Sequence, residues 1–141
     1  MRDKSNWDVL WNAERTDALC GITTDHCAFL WDGQKTMGKD DFSKIPSGGP
    51  GLENRLHMLH EFGVRAGRIT LNRMVELLAT NPAKLFGLYP RKGKVAVGTD
   101  ADRGVFDTAK QATLSAKTTH ATPDYTLYAG STVTDTAGHA R

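Results

Sequence analysis

Asp25-His26-Cys27 puts a carboxylate, an imidazole and a thiol on three consecutive residues. A carboxylate at the end of a strand can ligate a hard or borderline metal, or move a proton as acid or base. Side chains alternate along an extended strand, so the three cannot all face one site. Asp25 is the residue of the triplet taken as a site candidate. His57 and His60 stand three apart on a predicted helix, a spacing that could hold one ion. The one acid beside them, Glu61, turns to another face, and the pair reads as packing or surface histidines. Ser47-Gly48-Gly49 lacks the Lys-Ser/Thr of a phosphate-binding loop. It reads instead as a loop that lets the backbone approach something closely. His120 and His139 fall in a Thr-rich tail and are expected to be solvated.

The elements that must position these residues follow from patterning. Ser5 with Asp8 three residues later resembles a capping box, and Trp7, Leu10 and Trp11 share a face, which predicts a helix from about Asn6 to Asp17. Gly21 to Phe29 is a short β-prone run whose polar end carries Asp25; strand ends of parallel α/β sheets are where sites are built. Residues 31–51 read as a long loop, and a loop of that length in a compact domain is commonly functional. Glu53 to Phe62 reads as a helix closed by Gly63. Thr70 is an N-cap with Ile69 and Met74 as a hydrophobic staple, and Asn81-Pro82 opens a short helix that stops at Gly87. Lys94 to Val97 and Val105-Phe106 are strand candidates. The texture changes at Pro90, from helical α/β material to β material.

Composition limits the function classes. With 141 residues, 39% hydrophobic and 24% charged, the chain suits one globular domain with a real core. A complete (β/α)₈ barrel needs about 250 residues and does not fit. The net charge of +2 comes with no basic stripe and interleaved aromatics, so nucleic acid is not a favoured partner. No apolar stretch approaches the ~20 residues that span a bilayer, and the first residues are not an apolar signal core. The two cysteines, Cys20 and Cys27, make no disulfide framework and read as reduced thiols of a cytoplasmic protein.

A series of motifs runs through the chain in order: Thr24-Asp25-His26-Cys27, Gly33-Gln34-Lys35, Gly38-Lys39-Asp40-Asp41-Phe42 and Lys44-Ile45-Pro46-Ser47-Gly48-Gly49-Pro50-Gly51. Gly67-Arg68-Ile69-Thr70-Leu71-Asn72, Asn81-Pro82-Ala83-Lys84-Leu85-Phe86-Gly87, Ala96-Val97-Gly98-Thr99-Asp100-Ala101-Asp102 and Ser115-Ala116-Lys117-Thr118 continue it. Taken together they resemble the C-terminal part of the dihydropyrimidinases, or D-hydantoinases, of the cyclic amidohydrolase superfamily, over nearly the whole chain.

The resemblance implies an α/β fold: residues 1–90 as the last βα units of a metal-dependent (β/α)₈ barrel, incomplete here, and residues 91–141 as a truncated C-terminal share of a small β-sandwich. It implies two Zn²⁺ ions bridged by hydroxide and a carboxylated lysine, and hydrolysis of dihydropyrimidines or 5-substituted hydantoins to N-carbamoyl amino acids. The family's aspartate falls on Asp25, as metal ligand and as the base that passes a proton to the leaving nitrogen. The asparagine whose main chain holds the substrate ring falls on Ser47. The remaining metal ligands, a His-x-His pair, the carboxylated lysine and two histidines, would lie upstream of residue 1. The 141-residue chain alone is therefore expected to be inactive and to bind no stoichiometric zinc. Family members are commonly homotetramers. The competing expectations are a non-catalytic binding and assembly module like the collapsin-response mediators, which have usually lost this aspartate, and a gene remnant. Two departures stand out: Glu14 where the family's helix usually carries an apolar residue, and Arg103-Gly104 interrupting an apolar strand, where burying an unpaired Arg would cost several kcal/mol.

Overall fold

The structure, a computed structural model, describes residues 3–140, with side chains through residue 134. Helix α1 (Trp7–Arg15) starts from a 3₁₀ turn, Lys4–Asn6. The expected capping box is not formed. Asp3 accepts the Ser5 N–H at 2.9 Å, so the first turn begins before Ser5 and leaves that serine inside it. The helix ends at Arg15, and Asp17 follows with φ +66. Arg73 ties down this end by donating to the carbonyls of Glu14 (2.7 Å) and Leu19 (3.2 Å) and to the Asp17 carboxylate (2.7 Å).

Helix α2 (Arg55–Leu59) runs into a wider π-helical turn, His60–Arg65. Gly63 does not close it, contrary to expectation. A side chain there would meet Ile69 and Trp11 at 3.0 Å, so Gly63 lets those residues pack close. The stop is Gly67, at φ +70, where Arg68 N–H donates to Gly63 O (2.8 Å) and Gly67 N–H to Val64 O (3.0 Å), a Schellman motif. Helix α3 (Leu71–Val75) has the expected cap, with Thr70 Oγ1 accepting from Arg73 N–H at 3.1 Å. A second π-helical turn, Glu76–Thr80, leads into α4 (Asn81–Leu85). Widening the ladder just before Pro82 suits a residue that has no N–H and whose ring crowds the preceding turn. Gly87 stops α4 as expected, again through a Schellman pair, Leu88 N–H to Ala83 O and Gly87 N–H to Lys84 O.

Leu59, Ile69, Met74 and Leu77 form the core, with Trp11, Ile22, Leu56, Val64 and Leu78 packed around it. Ile69 and Met74, the two ends of the predicted staple, are both within it. Beside the core, Trp7, Leu10, Trp11, Phe62 and Arg68 line an apolar groove of about 480 Å³ into which Glu14 also faces.

The predicted strand Gly21–Phe29 is a correction. It is extended only in part and makes a single parallel bridge, His26 to Gly49. A parallel strand needs neighbours along its length, and Asp25, at φ +43, turns the backbone out of the extended region. Lys94–Val97 is not a strand either. It lies in a turn whose base is closed by Asp100 N–H donating to Arg91 O (2.9 Å) and by ion pairs from Lys92 to Asp100 and Asp102. Among the described residues the strands form one antiparallel pair, β1 (Arg103–Thr113) with β2 (Thr132–Ala140), whose register shifts twice, between Val105 and Phe106 and between Phe106 and Gln111. Arg103 sits exposed at the start of β1, so the expected burial cost of that residue does not arise. Among the described residues no helix is long and apolar enough to cross a membrane.

Candidate functional site

Asp25 is exposed at a left-handed corner, φ +43, a conformation that an L residue adopts at a cost of about 1–3 kcal/mol and that clusters at functional sites. Immediately after it, His26 and Cys27 dock onto the loop that carries Ser47. Cys27 N–H donates to Gly49 O at 3.3 Å, and the His26–Gly49 bridge runs parallel. The structure therefore sets Asp25 one residue before the bridge and Ser47 two residues before its other end, on adjoining segments. His26 reinforces the junction: its Nδ1 accepts both Gly51 N–H and Leu52 N–H at 3.2 Å, which fixes the ring proton on Nε2.

The loop itself has a built conformation. Gly48 adopts φ +101, and a Cβ on it would lie 2.4 Å from Cys27 Cβ, so only glycine lets the two segments come this close. Lys35 Nζ donates to the carbonyls of Pro46 and of Gly48, the latter at 2.6 Å, and lies 5.3 Å from the Phe29 ring. Lys35 begins a 3₁₀ turn, Lys35–Gly38, held by its N–H to Leu30 O (3.0 Å) and by Leu30 N–H to Gln34 Oε1 (2.6 Å).

Late residues of the chain brace this region. Asp124 accepts the N–H groups of Trp31 (2.6 Å) and Asp32 (3.2 Å), and the Trp31 bond first of all holds its carboxyl below the usual aspartate value. Tyr125 packs edge-on to Trp31 at 5.6 Å between centroids. Glu53 takes His120 N–H (2.8 Å) and its ring Nδ1 (2.7 Å), and Thr126 Oγ1 donates to Asn54 Oδ1 (3.3 Å). The expectation of a solvated His120 is half right: the ring is exposed but paired. The side chain of His139 lies outside the described residues.

His57 and His60 are packing residues, as expected. Both are buried; His60 lies edge-on to Phe106 of β1 at 4.7 Å, and burial lowers its pKa. Both thiols are free and exposed.

Lys35 and Asp124 are the residues that sequence reasoning missed, while His26, set aside there in favour of Asp25, holds the loop through Gly51 and Leu52. The Gly33-Gln34-Lys35 motif carried one of them, but nothing in its spacing reveals that the ammonium reaches carbonyls eleven and thirteen residues away. Among the described residues no three His, Cys, Asp or Glu side chains come together to hold a metal ion. Of the ligand set implied above the chain offers Asp25 alone, and one carboxylate does not fit a two-zinc centre.

The model of the amidohydrolase family matches residues 1–133. The D-hydantoinase of Geobacillus stearothermophilus is 46% identical over 134 residues, 95% of this chain and 28% of that protein. The chain thus spans just over a quarter of the length of the curated relative. The solved D-hydantoinase of Bacillus sp. AR9 superposes with TM-score 0.96 at 45% identity, over 99% of this chain and 31% of that one. The dihydropyrimidinase of Brevibacillus agri superposes with TM-score 0.93 at 46% identity, over 95% and 29%.

Proposed function

Since the chain belongs to the amidohydrolase family, we propose that the protein it builds opens cyclic amides of the hydantoin and dihydropyrimidine type, with Asp25 and the Ser47 loop as its contribution to the site. Residues 1–90 are its share of the barrel and residues 91–141 its share of the sandwich. The observation that carries this reading is the strained Asp25 corner bridged to a glycine-shaped loop.

In hydrolysis a water oxygen bonds to the ring carbonyl carbon, the ring C–N bond breaks, and a proton travels from the water to the departing nitrogen. An exposed carboxylate can carry that proton, accepting it on one oxygen and releasing it to nitrogen. The Ser47 main chain supplies one N–H donor and one C=O acceptor, the complement of a cyclic amide's carbonyl and N–H. Because these contacts come from backbone, serine can serve where the family pattern has asparagine. Zinc belongs to this reading through the family. The donor set present does not fit the expected pair of ions.

The test replaces the matching segment of the Geobacillus enzyme with this chain and follows hydantoin ring opening. The chimera is expected to turn over, and D25N to lower kcat by about 10²–10⁴, the usual worth of a positioned acid–base group. Equal kcat for the chimera and its D25N variant, with the fold retained, would overturn the role given to Asp25.

A further inference from the structure

We propose that Lys35 is a positioning residue for the substrate loop: by bridging the Pro46 and Gly48 carbonyls it fixes the orientation in which the Ser47 main chain is presented. The proposal rests on the reading of Ser47 given above and deepens it.

Peptide units are planar. The Pro46 carbonyl shares a rigid plane with Ser47 N–H, and in a trans peptide the two point in opposite directions. Holding Pro46 O on the ammonium therefore aims Ser47 N–H away from Lys35. The Gly48 carbonyl lies in the plane of Gly49 N–H, so a second plane is fixed on the far side. The Ser47 carbonyl belongs to the peptide between these two, and its freedom is what remains when both neighbours are pinned. A lysine suits the task because its ammonium offers three donors around one point and can take two carbonyls at once. Hydrogen bonds from a charged donor are also about twice as strong as neutral ones.

The rest of the region explains why Lys35 can act as an anchor. Its own backbone is held to Leu30, the turn around it is held by Asp124 through Trp31 and Asp32, and the Phe29 ring sits against Nζ. At the other end of the loop, Gly51 and Leu52 are held by His26. Residues 46–52 are therefore pinned at both ends, and Lys35 is the clamp nearest Ser47. The Cys27–Gly48 contact sets how close the loop comes, not which way its peptides face.

The experiment uses the chimera in which this chain replaces the matching segment of the Geobacillus enzyme. Amide hydrogen exchange of Cys27, Gly51 and Leu52 reads docking of the loop, and the Ser47 and Gly48 amide resonances are followed as hydantoin is added. K35M is expected to speed exchange at these amides by about tenfold or more, the scale of losing hydrogen bonds to a charged group, while amides of α1 and α3 hold their rates. K35R keeps the charge and two donors, and is expected to restore protection and the hydantoin-induced shift at Ser47. Unchanged exchange in K35M, or K35M and K35R behaving alike, overturns the proposal. Loosening by K35M with rescue by K35R, but no wild-type response of Ser47 to hydantoin, upholds Lys35 as the clamp and removes the ring contact assigned to Ser47.

Discussion

Gly48→Ala probes the junction between Asp25 and the Ser47 loop most directly. The added Cβ would stand 2.4 Å from Cys27 Cβ and 3.2 Å from Cys27 O, and the backbone would keep φ +101. Carbon atoms in contact sit about 3.5–4.0 Å apart, so the segments must separate by roughly 1 Å or more. The Cys27 N–H to Gly49 O bond, already 3.3 Å long, does not survive that movement. A positive φ on alanine costs about 1–2 kcal/mol, crowding about 1–3 kcal/mol and the lost bond about 1 kcal/mol. The loop should therefore lose at least about 3 kcal/mol of docking free energy, or roughly a hundredfold in its opening equilibrium. The core around Leu77 is remote from the change, so global unfolding should move far less. Exchange of the Cys27 amide reads the local term, and urea unfolding reads the global one. A double variant with Cys27→Gly removes Cβ and Sγ from the clash but leaves the φ cost, and should recover the crowding part alone. Wild-type protection of Cys27 in G48A, or no relief from the second substitution, would refute the steric argument.

Other expectations are more local. Thr70→Ala deletes the oxygen that accepts Arg73 N–H and should cost about 1 kcal/mol in chemical denaturation, with Thr70→Ser restoring it. Glu14 tests the groove. Burial first of all raises its pKa, opposed by Arg73, and Oε2 is buried without a hydrogen-bond partner. Between the ordinary glutamate pKa and this raised one the folded chain binds more protons than the unfolded chain, so stability falls as pH rises through that window. Glu14→Gln should flatten the decline and raise the urea midpoint at neutral pH; an unchanged pH profile would contradict the placement of the carboxyl.

Legibility in the sequence followed the range of the forces involved. Thr70, Ile69 and Met74, and the stop at Gly87, were readable because caps, staples and C-terminal glycines act within five residues. Ser5 misled because Asp3, two residues earlier, offered its N–H a charged acceptor. Gly63 misled because a helix-ending glycine and a glycine under a tryptophan look the same in one dimension. The run Gly21–Phe29 has strand composition, yet a strand is made by its neighbours, and here the pairing is one bridge. Asp25 stood out as a carboxylate at the polar end of a β-prone run, and Ser47 through motif resemblance. Their junction was not readable, because it depends on a lysine reaching across a turn and on a glycine facing a cysteine.

The braces from Asp124 to Trp31 and Asp32, from His120 to Glu53 and from Thr126 to Asn54 join residues 67–93 positions apart in the chain. During synthesis the Ser47 loop leaves the ribosome well before its braces exist. At 5–20 residues per second the delay is roughly 4–15 s, long on the timescale of local helix formation. Leu59, Ile69, Met74 and Leu77 are all made in the interval, so the helices can settle while the loop is still unsupported. A chain whose translation stopped short of Asp124 would keep that helical core and lose the frame of the site, passing a check for foldedness that it would fail for function.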